Sequence, residues 1–223
     1  MTLRERFDAV LGWCEENMPY AESELHYDNP FQLLVAVMLS AQCTDKRVNT
    51  VTPELFRAFP TPEAMASATK EEVLSYIRSI SYPNSKALHL VQMAKALQER
   101  FASEVPANRE ELQTLAGVGR KTANVVCAVA YNQPTMAVDT HIFRVAERIG
   151  LTTHSKSPRQ TEERLIKYIP SEQIPKAHHW LLLHGRYVCT ARSPHCSECG
   201  LAPFCRYYAK GAISSGKGAE GIG

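Results

Sequence analysis

Apolar residues recur every three to four positions through most of the 223-residue chain, and the periodic stretches open on helix-start signals. Thr2 with Glu5 makes a capping-box pattern ahead of Leu3, Phe7, Val10, Leu11 and Cys14. Asn29-Pro30 sets a cap and a first-turn proline before FQLLVAVMLSAQ. That stretch is apolar nearly all round, which predicts a central buried helix. Thr61-Pro62-Glu63 starts another helix, and Thr69 with Glu72 another. Asn84-Ser85 precedes a long amphipathic stretch through Phe101, and Asn108 with Glu111 caps a short helix ending near Leu115. No alternating β-branched run competes, so the pattern predicts an all-α chain.

Composition adds little until it is divided along the sequence. The apolar share of 44% is ample for a core, and the net charge is only +2. Residues 1–30 hold two basic and seven acidic side chains, whereas residues 180–210 hold four basic and one acidic. A basic C-terminal segment suits phosphate, although charge alone favours an ordinary solvated face. The N-terminus carries no apolar signal core, and no run is long and apolar enough to span a membrane. A reducing compartment is therefore expected, where seven cysteines point to metal ligation or catalysis over disulfides. The small, polar, glycine-rich stretch 211–223 is expected to be a disordered tail.

Three segments carry candidate chemistry. In LQTLAGVGRKTANVV a short helix ends at Leu115, and a second begins directly after Gly117-Val118-Gly119. Two glycines that accept positive φ allow a tight hairpin with Val118 tucked inward. The amides of Gly117, Gly119 and Arg120 then form an anion site at a helix N-terminus, suited to a DNA phosphate. Lys121 follows in the first turn. A neutral lysine is a usable nucleophile, and a helix N-terminus favours the neutral amine. This segment alone fits a surface lysine that binds phosphate equally well. In AVDTHIFRVAERIG an extended run ends at Asp139, and a helix follows to a stop at Gly150. Asp139 reads as an N-cap or as a carboxylate serving proton transfer and positive charge on a sugar.

The third segment is the strongest signal. Cys189, Cys196, Cys199 and Cys205 give C-x6-C-x2-C-x5-C within 17 residues. Zinc, an iron–sulfur cluster and disulfides are all possible. Structural zinc favours two short knuckles, and only one is present, so the spacing favours [4Fe–4S]. Arg192 inside the first gap and Arg186 before it would give a rigid basic loop. Cys14, Cys43 and Cys127 are expected in the core.

In this order, LLVAVMLSAQCTD (33–45), NSKA (84–87), LAGVGRKTANVV (115–126), AVDTHIFRV (137–145), HHWLLLHGRYVC (178–189) and the four cysteines resemble the endonuclease III family of helix-hairpin-helix DNA glycosylases and abasic-site lyases. The resemblance runs from about Arg4 to Lys210. It implies an all-helical, two-lobed fold with a C-terminal [4Fe–4S] cluster loop. A central domain of residues 22–133 would hold the hairpin, about 108–131. Residues 1–21 plus 134–210 would form the cluster domain. Lys121 would be the nucleophile and Asp139 the catalytic carboxylate, with the four cysteines as cluster ligands. Contacts to DNA are expected from Gln42, Tyr82, Lys86, Gly117, Val118, Gly119 and Arg120. His141, Arg144, Arg186 and Arg192 are expected to add to them.

The implied reaction removes an oxidised or otherwise damaged pyrimidine and then cuts the strand by β-elimination through a lysine Schiff base. The implied partner is double-stranded DNA with a damaged base or abasic site. A monomer in a prokaryotic cytoplasm, associated with the nucleoid and not with a membrane, is expected. Alternatives are a mismatch adenine or thymine/uracil glycosylase, whose members generally lack the lysine, and a non-catalytic hairpin module that only grips DNA. One departure stands out. Where the family usually has a glycine–leucine–tyrosine-like turn, this chain has Ser81-Tyr82-Pro83, leaving Tyr82 at the wedge position.

Overall fold

The computed structural model describes residues 1–216, with side chains through residue 211, and every α- and 3-10 element among them is helical. The chain forms two compact units, Ser23–Ala137 and Met1–Glu22 joined by the residues from Val138 onward.

The continuous unit is built around α2 (Pro30–Ser40). Asn29 caps it, its Oδ1 accepting from the Gln32 amide, and Pro30 pre-sets the first turn. Phe31 and Leu33 through Leu39 are all buried, as an all-round apolar helix requires. Around it lie α3 (Asp45–Ala58), α4 (Pro62–Ala66), α5 (Lys70–Ile77), α6 (Pro83–Arg100), α7 (Arg109–Leu112) and α8 (Arg120–Tyr131). Leu33, Leu34 and Leu39 are fully buried, so truncating any one to alanine costs about 2–5 kcal/mol. The capping patterns at Asn29, Thr61 and Thr69 are all made, Thr69 and Glu72 closing a reciprocal box. Asn108 accepts from the Glu110 and Glu111 amides.

One helix start differs from expectation. Helix α6 begins at Pro83, ahead of Asn84-Ser85. Proline at the first position needs no amide partner and holds the helical φ, so the preceding residue, Tyr82, becomes the cap. Tyr82 has left-handed φ of 56° and makes no side-chain cap.

The second unit contains α1 (Leu3–Asn17), α9 (Thr140–Ile149), α10 (Pro158–Tyr168), α11 (Ile174–Tyr187) and α12 (Arg206–Gly216). Thr2 and Glu5 make the expected capping box. Arg6 is buried on α1, and its Nη1 donates to the carbonyls of Ile149, at 3.1 Å, and Phe204. A guanidinium used this way staples α1 to the end of α9 and to the loop before α12. Phe7 stacks on Tyr168 at 5.0 Å. Helix α12 continues to Gly216, so the segment expected to be structureless from Gly211 starts inside a helix. Residues 217–223 lie outside the described residues. Among the described residues no helix is long and apolar enough to cross a membrane.

Candidate nucleophile, carboxylate and metal centre

The hairpin lies in the continuous unit. Helix α7 ends at Leu112, turns carry the chain to Leu115, and α8 begins at Arg120. Gly117 has φ of +75°, and a Cβ there would sit 2.9 Å from Cβ and Nδ1 of His89. Both backbone and packing demand glycine at this position. Val118 is buried, as expected. Gly119 differs from expectation: its φ is −88°, open to any residue, and an added Cβ would meet nothing within 4 Å. Neither torsion nor packing within the protein requires glycine there.

No side chain caps the start of α8. The first amides of a helix have no intrahelical partners and carry the positive end of its dipole, so this start is competent to bind an anion. Lys121, exposed, stands second in the helix beside half-buried Arg120. On the same helix Asn124 is buried, its Nδ2 donating to Met136 O at 3.0 Å, and Thr135 Oγ1 donates to Asn124 O at 2.7 Å. These bonds fix the extended run after the helix.

The carboxylate lies in the second unit. Asp139 caps α9, with Oδ1 accepting from the amides of His141 at 2.9 Å and Ile142 at 2.8 Å. Both bonds run to one oxygen, so the cap does not consume Oδ2. The cap and a chemical role are therefore compatible.

The four-cysteine segment follows α11 in the same unit. Cys189 closes the helix, its amide donating to His184 O, and two 3-10 turns carry the chain past Cys196, Cys199 and Cys205. All four cysteines line one small pocket, shared with Ile149, Val188, Leu201, Tyr207 and Tyr208. Thiols ringing a cavity suit a cluster better than zinc. Burial, with the neighbouring thiols, pushes the Cys196 and Cys199 thiols up.

Surrounding side chains brace this loop. Arg148 Nη1 donates to Thr190 O at 2.7 Å and lies 3.6 Å from Cys189 Sγ, while Nη2 donates to Ala191 O. Cys205 Sγ lies 3.4 Å from the Arg148 carbonyl, and His184 Nε2 lies 3.6 Å from Cys199 Sγ. Burial pushes His184 down to about 4, so it stays neutral near pH 7. Gly200 lies so close under the Trp13 ring that no Cβ fits.

Two expected DNA contacts are otherwise engaged. Lys86 is buried, with Nζ donating to Leu39 O at 2.8 Å and Ala41 O at 2.6 Å. It neutralises the negative end of α2 and is not presented to phosphate. Arg144 is half-buried: Nε donates to Cys189 O at 3.0 Å and Nη2 to Gly185 O at 2.8 Å. Its Nη2 also lies 3.2 Å from Nδ1 of half-buried His141. The guanidinium thus joins α9, α11 and the first cysteine. Neither Arg144 nor Arg148 was legible as a brace, because their partners lie more than 40 residues away in sequence. Gln42, Tyr82 and Arg192 are exposed, and Arg186 is half-buried. Cys14 and Cys127 are core residues as expected, whereas Cys43 is half-buried in the turn after α2.

Comparison with known proteins agrees with this architecture. The sequence profile of HhH-GPD superfamily base excision DNA repair proteins matches residues 35–171, and that of the iron–sulfur binding domain of endonuclease III matches 189–205. Endonuclease III of Haemophilus influenzae is 47% identical over 201 residues, covering 90% of this chain and 95% of the relative. The Treponema pallidum enzyme is 50% identical over 197 residues, covering 88% and 93%. A solved structure of a trapped endonuclease III–DNA covalent intermediate, an estranged-adenine complex, aligns with a TM-score of 0.89. It is 42% identical and covers 95% of this chain and all of that one. With a helical hairpin, a capped carboxylate and a cysteine-lined cavity in one chain, and relatives matched nearly end to end, this chain belongs to the endonuclease III family of the HhH-GPD superfamily.

Proposed function

We propose that Lys121 and Asp139 carry out a base-excision reaction on oxidised pyrimidines in double-stranded DNA, followed by cleavage of the abasic site. As a member of its family the chain is a DNA glycosylase with associated lyase activity that carries a [4Fe–4S] cluster. The observation that carries the residue assignment is the start of α8. An uncapped helix N-terminus follows a glycine that the protein's own packing does not require, and Lys121 stands in the first turn. A glycine with open space before its missing Cβ is what a closely approaching phosphate backbone needs.

In the reaction, the damaged nucleotide leaves the stack, since C1′ is shielded inside a duplex. The lone pair of Lys121 Nζ attacks C1′ as the base departs. Asp139 receives the proton released by the amine and stabilises positive charge on the sugar. Ring opening gives a Schiff base between Lys121 and the sugar. Loss of a C2′ proton then expels the 3′ phosphate by β-elimination, and hydrolysis frees the lysine. Gln42 enters the gap left by the extruded base, and Tyr82 wedges the stack. The amides of Gly117, Gly119 and Arg120 hold a phosphate, and Arg186 and Arg192 are further phosphate contacts.

Cys189, Cys196, Cys199 and Cys205 are the cluster ligands in this reading. The cluster supplies a rigid four-thiolate cross-link, and the chemistry above does not pass through it. The protein acts as a monomer, free of membranes and associated with the nucleoid of a prokaryotic cytoplasm. A panel of duplexes, each with one defined lesion, tests the substrate assignment. Oxidised pyrimidines should be excised with a nick carrying a 3′ unsaturated aldehyde. Preference for a mispaired adenine, thymine or uracil over every oxidised pyrimidine would contradict it.

A further inference from the structure

The turn after α2 and the turn before α6 meet on one face of the continuous unit. Each presents a non-glycine residue in the left-handed region, Gln42 with φ of 55° and Tyr82 with φ of 56°. Both are exposed, Tyr82 to 65%, so neither conformation is held by burial of the side chain it displays. A left-handed backbone at such residues persists only where the surroundings over-determine it. Two interactions do so. Ser81 Oγ donates to Gln42 O at 2.8 Å, tying one turn directly to the other. Lys86, in the first turns of α6, sends its ammonium into the end of α2, donating to Leu39 O and Ala41 O. Those last-turn carbonyls lack intrahelical partners, and a buried cation satisfies them in place of water.

We propose that Ser81 and Lys86 are positioning residues that latch these turns together, so that Gln42 and Tyr82 enter the duplex as one preorganised probe. This rests on the reading of Gln42 and Tyr82 as inserting residues. Lys86 builds the platform, and Ser81 couples the two tips. Preorganisation of this kind lowers the ordering cost of insertion into paired DNA. It contributes little at a preformed abasic site, where no base remains to be displaced.

The test is a double-mutant cycle on the full holoenzyme, with single-turnover rates on two duplexes of one sequence. One carries a thymine glycol opposite adenine, the other an abasic site opposite adenine. In the wild-type background Gln42→Ala and Tyr82→Ala should each slow base excision, and the double variant should be no slower than the worse single. In a Ser81→Ala background the two losses should multiply. Ser81→Ala alone should slow excision about 5-fold, with abasic-site cleavage changed less than about 2-fold. Ser81→Thr, which keeps the hydroxyl, should restore the wild-type pattern. A merely structural serine would lower stability and both rates together. If Ser81→Ala leaves the cycle as in wild type, the latch is wrong and the inserting residues stand. If Gln42→Ala and Tyr82→Ala leave excision unchanged in the wild-type background, the inserting roles fail and the latch falls with them.

Discussion

The hairpin before α8 and the cysteine loop after α11 solve opposite problems. The hairpin is built almost wholly by backbone. One glycine is forced by φ and by His89, one apolar residue is buried, and the helix start is left uncapped. Lys121, the proposed nucleophile, stands exposed on it. The cysteine loop is built by side chains from elsewhere in its unit. Arg144, Arg148, His184 and Trp13 hold its backbone and sulfurs around the pocket that the four cysteines line. One region is preorganised by its own conformation and the other by cross-links converging on a cofactor. Substitutions should therefore separate activity from stability in the hairpin and join them in the loop.

The largest effect expected is at Lys121. Lys121→Gln should lower strand cleavage by roughly 10⁴-fold or more, as loss of a nucleophile does. It should leave the melting temperature within about 2 °C, because an exposed position contributes little to stability. Cys199→Ala should show the opposite coupling. Iron content should fall well below the wild-type value, and the melting temperature should drop by about 10 °C, since cluster binding is folding energy. Retained iron and stability would deny Cys199 a ligand role.

Within the hairpin the two glycines sharpen the contrast further. Gly117→Ala should cost about 1–3 kcal/mol in denaturant unfolding, from left-handed strain and the clash with His89. Gly119→Ala should change stability by less than about 0.5 kcal/mol, yet weaken DNA binding by roughly tenfold at fixed salt. Equal effects of the two on stability would remove the argument that Gly119 is kept for a ligand. A pH response is expected in the cysteine-loop unit. Burial, with Arg186 nearby, pushes His179 down to about 4, below the ordinary histidine value near 6.5. Its folded form resists protonation that the unfolded chain accepts. Stability from this group is thus complete above about pH 6.5 and falls by about 3 kcal/mol as pH drops toward 4. His179→Gln should remove its share of that slope, buried His184 with the same shift supplying the rest.

How much of this was legible in the sequence depends on how local each interaction is. The capping boxes at Thr2 and Thr69, the cap at Asn29 and the Asp139 cap join residues two or three positions apart, so the sequence contains them whole. The all-round apolar α2 announced its burial for the same reason. The start of α6 was misplaced because Asn84-Ser85 is a good capping pair by composition, while Pro83 decides the helix start by its ring. Lys86 was expected on the surface, as lysines usually are. Only tertiary structure brings the carbonyl end of α2 to its ammonium. Arg144 and Arg148 sit on a helix whose pattern says only that it is amphipathic, so their grip on the cysteine loop left no trace in spacing. Gly117 and Gly119 look alike in sequence, and only torsion and neighbouring atoms tell the structural glycine from the open one.

The central claim is that Lys121 forms a covalent bond with the sugar. Borohydride reduction during turnover on an abasic-site duplex, followed by peptide mapping of the cross-link by mass spectrometry, measures this directly. One protein–DNA adduct per chain is expected, located on Lys121 and absent from Lys121→Gln. No adduct with active wild-type enzyme, or an adduct on another residue that survives in Lys121→Gln, would contradict it.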